Sequence, residues 1–139
     1  MRNFIAILFA FLFFIGTNSV VAQDEQPTLI FSQNMVNLQD MGMVNKIVDS
    51  LMAPIWNEIM NEGMIMGWGQ LNHEWGDEWN CNFYYVCKDK ETFFKAWDEF
   101  TKRMGEKHPG AWAKVTPSFK AHKDNIYYFQ QRHNAPPSK

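Results

Sequence analysis

Two runs of alternating side chains, 64–72 and 78–88, flank the dipeptide Gly76-Asp77, and they constrain the fold more than any other feature of the chain. Glycine first and a polar residue second is the signature of a tight type II′ hairpin turn. Closing the turn there pairs Trp75 with Glu78 and sets the register of the whole ladder. One face then carries Met66 opposite Cys87, Trp68 opposite Tyr85, Gln70 opposite Phe83 and Asn72 opposite Cys81. The other carries Gly67 opposite Val86, Gly69 opposite Tyr84, Leu71 opposite Asn82 and His73 opposite Asn80. Side chains alternate across a strand, so the first, more apolar set is expected to meet helices. On the second face the glycines leave room for Tyr84.

The flanking segments supply those helices. Over 40–62, Val44, Ile47, Val48, Leu51, Ile55 and Ile59 fall on one stripe at three- and four-residue spacing. Pro54 removes a backbone donor, which predicts a kink over 50–54, and Gly63 suits a left-handed cap. Asp89 is a good N-cap for a second helix over 90–104, whose residues Phe93, Trp97, Phe100 and Met104 form an aromatic core stripe. Gly105, Pro109 and Gly110 end it, and Thr116-Pro117 opens a short helix. Leu29, Ile30, Phe31, Met35 and Val36 place a first strand over 28–37, although its alternation is imperfect, and Ile126, Tyr127, Tyr128 and Phe129 place a last one over 125–132.

Strand, helix, strand, strand, helix, strand closes with right-handed crossovers as a ferredoxin-like βαββαβ unit. This is an α+β fold, a four-stranded antiparallel sheet with two main helices on one face. Leu71, Tyr84, Val86, Tyr127 and Phe129 are expected on the uncovered face. An apolar face of that kind predicts a homodimer joined through the sheet.

Residues 1–22 read as a cleavable signal peptide: a basic start with Arg2, an apolar run over 4–15, and Val20 and Ala22 at the small-residue cleavage positions. The run is shorter than the ~20 residues needed to cross a bilayer. A periplasmic or extracellular protein with no membrane attachment after cleavage is expected. A linker over 23–27, one domain over 28–133 and a disordered tail over 134–139 complete the organisation. Loss of Arg2 takes the formal charge from −2 to −3, and no Lys/Arg cluster is present, so nucleic acid is not an expected partner. Cys81 and Cys87 share a strand face about 20 Å apart, at ~3.3 Å per residue, beyond the roughly 7 Å a disulfide allows. They read as buried free thiols, with a bridge to a second subunit as the alternative.

The segment Ala53-Pro54-Ile55-Trp56-Asn57-Glu58, then Gly63, then Ile65-Met66-Gly67-Trp68-Gly69, the hairpin 73–80 and the helix 93–100 together resemble the dimeric α/β-barrel superfamily. That superfamily includes antibiotic-biosynthesis monooxygenases and stress-responsive barrel proteins. The resemblance implies two sheets facing each other and a ligand held between sheet and helices. Haem-degrading members share an Asn, Trp and His set with the His on a helix. Here 90–104 holds no His and His108 lies beyond it, before Pro109, so haem is not expected and the cofactor stays unassigned.

No nucleophile elbow, phosphate-binding glycine loop or Cys/His pattern is present. His73, Glu74, Asp77 and Glu78 cluster at the hairpin tip, but no second His sits at ligand spacing; a solvated turn accounts for them and no metal site is expected. His122 and Asp124 flank the expected start of the last strand and suit a base and its orienting partner. Trp56, Trp68, Tyr84 and Tyr85 are candidates for an apolar, aromatic-binding pocket. The expected function is binding of a small apolar or aromatic molecule. The alternatives are a cofactor-independent oxygenase or isomerase-like enzyme using His73, or His122 with Asp124, and a protein-interaction module that uses the sheet.

Overall fold

The computed structural model describes residues 26–76 and 78–130. The expected leader, most of the linker, the stretch beyond 130 with its tail, and Asp77 lie outside them. Four strands, β1 (Thr28–Val36), β2 (Gly67–Asn72), β3 (Cys81–Cys87) and β4 (Phe119–Tyr128), form one antiparallel sheet in the order β2-β3-β1-β4. Between β1 and β2 run α1 (Met41–Ile47), a π-helical turn (Val48–Met52) and α2 (Ala53–Asn61); between β3 and β4 run α3 (Lys90–Lys107) and the short α4 (Ala111–Val115). This is the ferredoxin-like α+β arrangement.

The β2–β3 register agrees pair by pair with the hairpin reading, from Gly67 opposite Val86 to Asn72 opposite Cys81. It stops earlier than a two-residue turn requires. The His73 N–H still donates to the Asn80 carbonyl at 3.2 Å, but Trp75 and Glu78 do not extend the ladder. Competition from β1 explains the long loop. Asn80 uses its side chain as a surrogate peptide, accepting from the Val36 N–H at 2.8 Å and donating to the Val36 carbonyl at 2.9 Å. Trp79 turns away with φ 50° and lies under the Lys123 ammonium, 4.1 Å from its ring centre.

The kink expected before Pro54 takes the form of the π turn, whose wider spacing absorbs the missing donor. Helix α3 runs one turn further than the apolar stripe suggests. It starts at Asp89, whose Oδ1 accepts from the Thr92 N–H at 2.7 Å, and the chain leaves through Gly110 at φ 82°. Strand β4 begins at Phe119, six residues before the expected start. Its first half, with Lys120, His122, Lys123 and Asp124, lacks an apolar alternation because the strand is the exposed edge of the sheet. His122 and Asp124 therefore sit within a strand, not before one.

The helices cover the face bearing Ile30, Phe83, Tyr85, Cys81 and Cys87, and the core centres on Trp56, which stacks on Phe100 at 4.3 Å and 11°. Both cysteines are free and fully buried. Register places Leu29, Phe31, Met35, Leu71, Tyr84, Val86 and Tyr127 on the opposite face. There the Tyr84 ring lies across Gly69, where any Cβ would approach it to 2.5 Å.

Candidate functional site

Strand β1 buries a row of four alternate residues: Ile30, Ser32, Asn34 and Val36. Two apolar side chains in that row are what a helix-covered sheet demands; Ser32 and Asn34 are not. Their register partners on β4 are Asp124 and His122, so four polar side chains form a square on the core-facing side of the β1–β4 ladder. His122 Nδ1 is 2.8 Å from Asn34 Oδ1, and His122 Nε2 is 3.0 Å from Asp124 Oδ2. Asn34 Nδ2 donates to the Ser32 carbonyl and Oγ, both at 3.4 Å. Asn34 is anchored through its backbone too, its N–H donating to Asn82 Oδ1 at 3.2 Å.

The square forms one wall of a cavity of about 380 Å³ between sheet and helices. The remaining walls are apolar apart from Thr116: Phe83 and Tyr85 from β3, Val44, Val48 and Met52 from α1 and the π turn, Phe93, Phe94 and Trp97 from α3, Trp112 and Val115 from α4, and Phe119 at the start of β4. The π turn contributes two of these residues, so the helix irregularity imposed upstream of Pro54 shapes the site. The His122 and Asp124 side chains are 53% and 56% exposed, which puts the polar wall at the cavity mouth on the free edge of the sheet. Burial, with a smaller contribution from the Asp124 carboxylate, pushes the Tyr85 phenol far up, so it lines the cavity as a neutral hydroxyl.

His122 and Asp124, paired in the sequence reading, lie beside each other, and Tyr85, placed there in a separate aromatic set, lines the same cavity. The other candidates do not join them. Trp56 is fully buried in the aromatic cluster and does not line the cavity; among the described residues its Nε1 has no hydrogen-bond partner. Trp68 packs against it at 6.5 Å and donates from Nε1 to Asn57 Oδ1 at 3.0 Å. Tyr84 stands on the opposite face, because adjacent residues of a strand point to opposite sides. The aromatic set proposed from sequence is therefore no single pocket. His73 follows β2 at the other edge of the sheet, three strand spacings or ~14 Å across from β4. It cannot share a site with His122. Among the described residues no group of three or more His, Cys, Asp or Glu is placed to hold a metal ion.

Sequence reasoning missed Ser32 and Asn34. The signal was present as the imperfect alternation of β1: the parity of Ile30 and Val36 puts both polar residues on the buried row. It missed the apolar lining because Phe93 and Trp97 lie in a stripe that also serves as core. Both ring nitrogens of His122 already face an oxygen, so it must release one contact before it can take a proton from a ligand. The arrangement suits holding a ligand without chemistry, and suits proton transfer once a ligand displaces Asn34 or Asp124.

No family model matches the chain, and no curated protein matches it. Solved structures do. A dimeric ferredoxin-like protein from an uncultured marine organism aligns with a TM-score of 0.63 at 11% identity, over 81% of this chain and 96% of its own. A second dimeric ferredoxin-like protein, also from an uncultured marine organism, aligns at 0.57 and 19% identity, over 78% and 100%. A NIPSNAP family protein from Agrobacterium tumefaciens aligns at 0.59 and 9% identity, over 76% and 88%. At such identities the likeness is one of fold: the chain is similar to dimeric ferredoxin-like and NIPSNAP-like proteins and shares their ferredoxin-like architecture.

Proposed function

We propose that the protein is an exported homodimer of the dimeric α/β-barrel kind that binds a small apolar, aromatic molecule between its sheet and helices. The observation that carries this reading is the polar square on a core-facing strand pair beside an apolar cavity of about 380 Å³. Small-ligand sites combine a mostly apolar lining with a few convergent polar groups, and the volume lies within their usual range of roughly 300–1,000 Å³. Export is supported by the leader pattern of residues 1–22. The dimer is supported by the apolar face around Leu71, Tyr84 and Tyr127, and by two structural likenesses described as dimeric.

The test is titration of the secreted, purified chain with 1-naphthylmethanol, followed by quenching of tryptophan emission, with mass measured under native conditions. The reading expects saturable binding to a dimer, abolished by Val48→Phe, which fills the cavity from the π turn. A monomer would remove the dimer, and binding unaffected by Val48→Phe would remove the cavity. The enzymatic reading is favoured by one observation, the Asp124–His122 pair at the cavity wall. It requires turnover that disappears in His122→Asn and persists in His73→Asn.

A further inference from the structure

The charges around the cavity define what kind of aromatic molecule it accepts. Among the described residues no lysine or arginine lines it. Apart from the neutral Tyr85 phenol, its ionisable groups are His122 and Asp124. With a neutral imidazole that pair carries one negative charge; with an imidazolium it carries none. In neither state does the mouth offer net positive charge to a carboxylate or a phosphate. The nearest basic residue along β4, Lys123, points to the other face and is held over Trp79. Lys120 lines a separate groove with Glu78.

Two features favour the opposite sign. Asp124 engages His122 through Oδ2, lines the cavity, and keeps its side chain 56% exposed. Phe94, Trp97 and Trp112 line the same cavity, with Phe94 and Trp112 exposed enough to meet an entering group. Aromatic ring faces attract cations within about 6 Å of their centres, most strongly where water is excluded. A carboxylate and several rings around one apolar cavity, with no lysine or arginine lining it among the described residues, are the elements of an ammonium site.

We infer that the cavity selects a flat aromatic molecule bearing a protonated amine, its ring in the apolar slot and its ammonium at Asp124 beside Trp112 and Phe94. The inference rests on the ligand-binding reading above and names the ligand class for that site. It also orients the ligand: the amine stays at the sheet edge, where it keeps part of its hydration, and the ring enters toward Val48 and Met52.

Calorimetric titration of the full chain with 1-naphthylmethylamine, 1-naphthylmethanol and 1-naphthoate at pH 7 tests it. These probes share the bicyclic ring and differ in charge. The amine is expected to bind about tenfold tighter than the alcohol, the combined effect of an exposed ion pair and modest cation–π contacts, and the carboxylate weakest. Asp124→Asn, a near-isosteric change at an exposed position, is expected to weaken amine binding about fivefold more than alcohol binding, on the same magnitudes. Naphthoate binding as tightly as the amine, or an amine preference untouched by Asp124→Asn, would overturn the charge selection while leaving the cavity as a site. Failure of all three probes to bind would overturn both.

Discussion

Replacing Ser32 by Val and Asn34 by Leu in one variant makes the buried row of β1 apolar from Ile30 to Val36. If the polar square exists for a ligand, this change stabilises the fold. Leu has nearly the shape of Asn, and the site is 4% exposed, so the substitution gains up to about 1.5–3 kcal/mol of apolar burial. The two internal hydrogen bonds it removes are 3.4 Å long, outside the usual 2.7–3.2 Å range; the bond to Oγ loses donor and acceptor together, and the Ser32 carbonyl belongs to the main chain of β1, which stays paired in the sheet. The 2.8 Å contact to His122 is also lost, at a cost of about 0.5–1.5 kcal/mol, but that ring is half exposed and water replaces the partner. The backbone bond from the residue-34 N–H to Asn82 does not depend on the side chain. The net expectation is a gain of about 1–2 kcal/mol, or some 4–8 °C in Tm for each kcal/mol in a domain of this size. Urea unfolding followed by tryptophan emission measures it. A double variant less stable than the wild type would show that the square is a structural network, and the argument from it to a ligand would fail.

Gly69→Ala pushes a methyl group into the Tyr84 ring and is expected to cost about 1 kcal/mol, most of it recovered in a Tyr84→Ala background; a double-mutant cycle by urea unfolding reads the coupling. Burial pushes both thiols up, Cys87 to about 11, so neither reacts with a thiol reagent at pH 8 until urea unfolds the chain, when both react. Arg103 joins Glu62 at 2.7 Å and Glu99 at 2.8 Å, and its hydrogen bonds hold both carboxyls below the ordinary glutamate range. Their contribution is present above that range and lost as pH falls through the depressed values, so stability drops more steeply below about pH 4.3 in the wild type than in Arg103→Gln.

The hairpin register was legible because period-two alternation leaves few choices once a turn is placed, and Gly69 opposite Tyr84 fits that choice on both faces. Helix positions were legible from Val44 to Ile59 and from Phe93 to Met104, since a one-sided core demands an apolar stripe. The start of β4 was not, because an edge strand with little burial on either side has no reason to alternate. The hairpin loop was misjudged for a different reason: Asn80 and Trp79 serve β1 and β4, and no local pattern reveals such distant partners. His122 and Asp124 could be singled out by their chemistry alone. Their partners Ser32 and Asn34 sit 88 or more residues away in sequence and acquire meaning only through the β1–β4 pairing. The cavity depends on the π turn, whose extra residue displaces Val48 and Met52 in a way that helical periodicity does not encode.

Methyl NMR of the chain, titrated with 1-naphthylmethylamine, addresses the ligand cavity most directly. Val44, Val48, Met52 and Val115 line the cavity, while Leu29, Leu71 and Val86 lie on the opposite face of the sheet. Saturable shifts concentrated in the first group are the predicted result. Shifts concentrated in the second group, or none in either, would contradict it.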